Sequence, residues 1–221
     1  MQIGVLGGTG PAGSGLATRL ASLGHDVVAG SRDPQRAAGV VDEIRGRWGD
    51  RVASLRPGGN AEAAEAELVV IATHWDSMVA TARDHADVLA GRPVIAMGNG
   101  LVKVGREFHP VLPPEGSLSQ AVQAAAPQAR VVAAFQHVPA AAFADLDHPL
   151  ESDVVICSDD DDARELVVGL VAAMPNLRAF DTGSLLHAVG IETFAAVLLS
   201  LNIRHKGKGT LRFLGLESAS S

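Results

Sequence analysis

The chain contains no tyrosine, and its one cysteine is Cys157. A lone cysteine cannot close an internal disulfide, and inside the apolar run Val154-Val155-Ile156-Cys157 it reads as a small buried hydrophobe, not a reactive thiol. Aromatic residues make up only 4% of the 221, so the interior must be built by close Ala and Gly packing, with few aromatic pockets. The formal net charge of −7 excludes a nucleic-acid partner from the expectations. Long apolar runs are also missing: the longest candidate, residues 194–201, is too short to span a bilayer. Met1-Gln2-Ile3 enters an apolar run without a basic leader. These absences leave a cytoplasmic protein with no membrane partner as the expectation.

What is present alternates between strand and helix patterns. Ile3-Gly4-Val5-Leu6 is a strand, followed by a glycine cluster and a helix with Leu16, Leu20 and Leu23 on one face, ended by Gly24. A second strand covers 26–30, and Asp33-Pro34 caps and opens a helix to about 47. Further strands are expected at 52–55, 68–72, 94–97, 130–134, 153–157 and 177–180. Helices are expected at 61–66 (capped by Asn60), 77–89, 118–126, 161–174 and 185–202. Residues 98–116 read as irregular, and 218–221 as a frayed tail. The alternation predicts an α/β fold, a Rossmann-like doubly wound parallel sheet with a C-terminal helical extension. Residues 1–150 form the nucleotide-binding domain of that reading. Residues 151–221 form a smaller α/β lobe whose long helix completes a substrate cleft.

Gly8-Thr9-Gly10-Pro11-Ala12-Gly13 matches G-x-G-x-x-G between a strand and a helix, the context a dinucleotide loop requires. Gly8 permits the tight turn, Gly10 lets a diphosphate approach the backbone, and Gly13 lets helix and strand pack closely. The helix N-terminus supplies N–H groups and partial positive charge. At the end of the second strand an NAD-binding chain carries an acid; here the chain reads Gly30-Ser31-Arg32, with Arg36 one helical turn on. A carboxylate would repel a 2′-phosphate, whereas Arg32 and Arg36 attract it and Ser31 donates a hydroxyl, so NADP(H) is the expected nucleotide.

By these residues, and by later ones, the chain resembles the NADPH-dependent coenzyme F-420 reductases. The later stretches are Trp75, Val138-Pro139-Ala140 with Phe143-Ala144-Asp145-Leu146-Asp147, the 157–162 segment, and Asp181-Thr182-Gly183 with Glu192. The resemblance runs in order over nearly the whole chain. It implies hydride transfer between NADP(H) and a deazaflavin co-substrate, coenzyme F-420, with the two rings stacked in a cleft. It carries Thr9, Ser31, Arg32 and Arg36 over as NADP residues. It places the nicotinamide and deazaflavin near Thr73-His74-Trp75, Met97-Gly98-Asn99 and Gln136-His137-Val138-Pro139-Ala140. The chain departs from the family at Gln136, where a histidine is frequent, at Val189, where some members have arginine, and around Asn99.

No covalent catalytic residue is expected. Gln136 and His137 are candidates for stabilising charge, and His137 equally suits a structural hydrogen bond. Glu192 faces either a ligand or solvent. The run from Asp159 to Asp162 suits a helix cap better than a metal, because no His or Cys has ligand spacing. Arg204, Lys206, Lys208 and Arg212 form either a solvated end or a cradle for the coenzyme's acidic tail. Phe194, Val197, Leu198 and Leu201 point to a homodimer through the last helix. The alternatives are a reductase of an imine or small carbonyl compound, and a non-catalytic NADP-sensing protein. A short-chain dehydrogenase is excluded, since its catalytic tyrosine has no counterpart here.

Overall fold

The computed structural model describes residues 1–218. The chain forms β1 (Gln2–Leu6), α1 (Pro11–Ser22), β2 (Asp26–Ser31), α2 (Pro34–Trp48), β3 (Leu55–Gly59), α3 (Asn60–Ala64) and β4 (Leu68–Ile71). Next come α4 (Trp75–Asp84), α5 (Ala86–Leu89), β5 (Pro93–Ala96) and a hairpin of β6 (Leu101–Val104) and β7 (Glu107–Pro110). The rest is α6 (Leu118–Ala125), β8 (Arg130–Ala133), α7 (Ala140–Ala144), β9 (Ser152–Ser158), α8 (Asp161–Ala172), β10 (Leu177–Asp181) and α9 (Ala188–His205).

Eight strands make one sheet in the order β10-β9-β8-β5-β4-β1-β2-β3. β1 pairs in parallel with both β2 and β4, so the sheet grows first to one side of β1 and then to the other. That reversal opens a crevice at the C-terminal ends of β1 and β4, where α/β sheets bind ligands. β4 and β5 are buried at every position because helices cover both faces. Leu16 and Leu20 of α1 fill one side, and Met78, Ala82, Leu118 and Val122 of α4 and α6 fill the other. Each fully buried Leu stabilises the fold by about 1.5–3 kcal/mol. α3 lies directly on the strands: a Cβ at Gly4 would sit 1.7 Å from Ala63 O, and one at Gly30 would sit 2.9 Å from Ala63 Cβ.

The sheet is not wholly parallel. β9 is antiparallel to β8, and β10 follows β9 in parallel, so these two run against the other six. Between β8 and β9 the only helix is the five-residue α7, too short to carry the chain back for a parallel return.

Several elements differ from the sequence expectation. Val52 ends a 3-10 turn (Gly49–Val52), and the third strand starts at Leu55. Pro57-Gly58-Gly59 hid it, yet β3 is an edge strand, where Pro and Gly are tolerated. The expected helix over 77–89 starts at Trp75 and breaks at His85 into α4 and α5. The segment expected to be irregular contains the β6–β7 hairpin, whose turn uses Gly105 at φ +60°. The last helix opens with a 3-10 turn (Leu185–His187). An 18-residue stretch within Leu185–His205 reaches a mean hydropathy of 1.6, so this helix is long and apolar enough to cross a bilayer, unlike the short run expected. Gly190, Glu192 and Thr193 interrupt the apolar run, and Glu192 ties the helix to α6. Of the expected tail, only Ser218 lies among the described residues. Cys157 is buried, and burial together with nearby Glu192 pushes its thiol up to about 12.

Candidate nucleotide and substrate site

The phosphate loop is shaped by its glycines. Gly7 adopts φ +77°, and a Cβ at Gly8 would sit 2.8 Å from Ala29 Cα. A Cβ at Gly13 would meet Gly7 O at 2.4 Å, so α1 closes on the loop only because Gly13 has no side chain. Gly10 meets no such obstacle; its bareness leaves the backbone approachable. Pro11 at the first helical position brings no N–H of its own. Gly10 N donates to Gly7 O (3.0 Å), while the N–H groups of Thr9, Ala12 and Gly13 have no partner among the described residues. The loop therefore offers three donors and a helix N-terminus to an anion.

The end of β2 supplies the other half. Ser31 Oγ accepts from Asp33 N (3.1 Å), which leaves the hydroxyl hydrogen free to donate. Asp33 is spent capping α2, accepting from Gln35 N and Arg36 N at 3.0 and 3.2 Å. Arg32 and Arg36 are exposed, with no ion pair among the described residues. A cavity of about 480 Å³ brings Thr9, Gly10, Ser31, Arg32, Arg36, Thr73 and His74 together. His74 pairs with Asp76 at 2.8 Å, and its hydrogen bond holds the Asp76 carboxyl below the usual carboxylate range.

The cavity has one wall the sequence did not reveal. Asn60 does not cap α3; Gly59 occupies that position, and Asn60 Oδ1 accepts from Gly7 N (3.2 Å). The readable signal was Gly58-Gly59, which ends β3 level with Ser31.

A second cluster lies at the ends of β5 and β8. Met97 is buried, and Gly98 packs so tightly that a Cβ would meet Met78 Cε at 2.7 Å. Gln136 Nε2 donates to Ala96 O (2.8 Å), and Asn99 Nδ2 donates to Gln136 O (2.6 Å). Both amides spend donors on carbonyls, leaving Gln136 Oε1 and Asn99 Oδ1 buried without a partner among the described residues. Ala140 starts α7, its carbonyl so close to α1 that a Cβ at Gly15 would sit 2.7 Å away.

His137 sits apart from the loop cavity. It is 4% exposed, donates from Nε2 to Asp153 O (2.6 Å), and borders an apolar cavity of about 260 Å³ with Phe194 and Phe213. Burial pushes its pKa down, so the ring is neutral, with Nδ1 an unused acceptor.

Glu192 faces neither ligand nor solvent. It is buried and accepts from Leu118 N (2.7 Å), Ser119 N (2.9 Å) and Ser119 Oγ (2.7 Å), capping α6 from 74 residues away. Burial pushes its carboxyl up, against the pull of those donors. Asp160 caps α8, and Asp159 accepts from Ser184 Oγ and Leu185 N. No His, Cys, Asp or Glu group suited to a metal occurs among the described residues. In the basic cluster, Arg204 pairs with Glu107 and Arg212 with Asp153.

A glycine loop at the switch point of a doubly wound sheet, with basic residues beyond β2, defines a Rossmann-type dinucleotide-binding protein. Residues 2–100 match the family model "NADP oxidoreductase coenzyme F420-dependent". An F420-dependent NADP reductase of Methanocaldococcus jannaschii is 32% identical over 223 residues, covering 98% of this chain and 100% of the relative. One from Methanothermobacter marburgensis is 32% identical over 217 residues, covering 93% and 94%. A crystal structure from Arthrobacter sp., provisionally described as an F420-dependent NADP-reductase, has a TM-score of 0.81 at 27% identity, covering 97% of this chain and 99% of that one. This chain belongs to the F420-dependent NADP reductase family.

Proposed function

We propose that the protein catalyses direct, reversible hydride transfer between NADP(H) and the deazaflavin coenzyme F-420. The observation that carries this is the cavity in which Ser31, Arg32 and Arg36 face the phosphate loop, in a chain that aligns end to end with reductases of that name. The residues present fit the nucleotide: three free N–H groups suit a diphosphate, and two unpaired guanidinium groups beside a hydroxyl suit a 2′-phosphate. When bound, the nicotinamide supplies or takes up the hydride. Thr73 and His74 line the same cavity and would help hold the nucleotide on its nicotinamide side. Met97, Gly98, Asn99, Gln136 and Ala140, at the ends of β5 and β8 and the start of α7, would border the reacting rings and help exclude water from them. Transfer between stacked rings needs position more than acid catalysis. His137 spends its N–H on Asp153 and so acts as a positioning residue for the 136–139 loop.

In this reading residues 1–150 bind the nucleotide and 151–221 complete the substrate cleft, in a cytoplasmic homodimer. Phe194, Val197 and Leu201 are 38%, 51% and 46% exposed on α9 and supply the dimer face. Leu198 leaves that set, because it is buried within its own subunit.

Stopped-flow mixing with NADPH deuterated on each face tests the reaction. Label from one face only, retained in the reduced deazaflavin, is expected. Rapid NADPH oxidation by an imine with none by the deazaflavin would replace the reading with an imine reductase. Tight NADP binding without turnover of any acceptor would make the protein a sensor.

A further inference from the structure

Asn60 occupies a place that neither the loop motif nor the β2 basic residues account for. It follows β3, whose Gly59 stands in register with Ser31. Its side chain lies over Gly30, where a Cβ would come within 3.0 Å of Asn60 Oδ1. The side chain thus bridges the loop on β1 and the basic edge on β2. Its carbonyl oxygen accepts from Gly7 N (3.2 Å), which fixes the orientation of the amide. With Oδ1 turned to Gly7, the NH₂ is the group left over. It has no acceptor among the described residues, and Asn60 lines the same cavity as Ser31, Arg32 and Arg36.

We propose that Asn60 is a specificity-determining residue that donates from Nδ2 to the 2′-phosphate of NADP(H), held in place by its bond to the phosphate loop. This rests on the NADP reading above. An amide in this position does two things that a lone arginine cannot. It couples the shape of the loop to the occupancy of the phosphate pocket. It also supplies a donor already oriented before the nucleotide arrives, so little side-chain freedom is lost on binding. A carboxylate at the same position would keep the bond to Gly7 while turning the donor into a repelling acceptor.

The test is direct titration of NADPH, NADH and 2′-AMP with the full chain, comparing the parent with Asn60→Ala and Asn60→Asp. Asn60→Ala is expected to lower the NADPH-over-NADH affinity ratio about tenfold and to weaken 2′-AMP, as loss of a hydrogen bond to a charged group does. Asn60→Asp is expected to lower the ratio further. The loss should persist at about 0.5 M salt, where a merely long-range field is screened. If Asn60→Ala weakens NADPH and NADH equally and leaves 2′-AMP untouched, Asn60 only holds the loop and the proposal is overturned. An unchanged ratio in Asn60→Asp at high salt overturns it as well. If the parent itself binds NADH as tightly as NADPH, the NADP reading fails first.

Discussion

Between Gly7 and Gly13 the chain is held by backbone contacts and by the absence of side chains, with Asn60 as its side-chain partner. Around Asp153, at the start of β9, charge does the holding. The fully buried carboxylate takes two bonds from Arg178 (2.7 and 2.6 Å), one from Arg212 (3.3 Å) and the N–H of Phe213. Its backbone N donates to Leu211 O (2.8 Å), and its carbonyl accepts from His137. A loop that must keep its donors free for a ligand cannot spend them on itself, so sterics must set its shape. A strap that only has to stay closed can saturate every donor and acceptor. The first arrangement is ready to bind; the second is ready to hold the 136–139 loop still.

That contrast can be broken most forcefully at Asp153. Asp153→Asn is expected to cost about 3 kcal/mol of stability, because it leaves a partly buried guanidinium pair uncompensated. Urea unfolding measures this, and a loss below about 1 kcal/mol would reduce the strap to an ordinary surface pair. Burial alone would raise the Asp153 carboxyl, but the bonds from Arg178 and Phe213 N and the two arginine charges outweigh it and hold the carboxyl below its usual range. The stabilisation is therefore complete above about pH 4 and is lost as pH falls through that lowered value.

At the other end, Arg32→Ala should remove about 1.5–3 kcal/mol of the preference for NADPH over NADH, read from nucleotide titrations, with thermal stability nearly unchanged. A parent protein that does not discriminate between the two would end this side of the comparison. His137→Ala links the two regions: turnover should fall about tenfold with little change in NADPH affinity, through loosening of the loop. Because burial lowers the His137 pKa, the unfolded chain takes up a proton that the folded one does not. Stability due to this group is present above about pH 6.5 and declines as pH falls toward the lowered value, and His137→Ala should flatten that slope below about pH 6.5. The smallest effect on the folded subunit is expected from Val197→Ser, within about 0.5 kcal/mol, although it should weaken the proposed dimer. Light scattering at micromolar concentration decides this, and a monomeric parent removes α9 as an interface.

The two regions also differed in how far the sequence revealed them. Gly8, Gly10 and Gly13 are readable because they form one contiguous motif between a strand and a helix, with Gly13 set by its contact with Gly7 six positions back, and Asp33-Pro34 announces its cap in two residues. Asn60 was not readable, because an Asn after two glycines looks like a cap, while its partner Gly7 lies 53 positions back. Glu192 was hidden for the same reason, with its partners on α6 more than seventy positions away. The direction of β9 was also closed to inspection. A buried run such as Val154-Val155-Ile156-Cys157 has the same pattern whichever way its neighbour runs.

The turnaround at β9 bears on how the chain is made. Six strands of the sheet, from β1 to β8, are synthesised before β9 exists, and until then β8 is a bare edge of buried-type residues, Val131-Val132-Ala133. β9 then covers that edge through only two matched positions, Val132 with Ser158 and Ala133 with Cys157, whereas β9 and β10 match at five. The β9–β10 ribbon is thus more firmly joined to itself than to the sheet it completes. A nascent or partly unfolded chain exposes a sticky strand edge on one side and a detachable ribbon on the other, the pairing from which strand exchange between neighbouring copies and aggregation start.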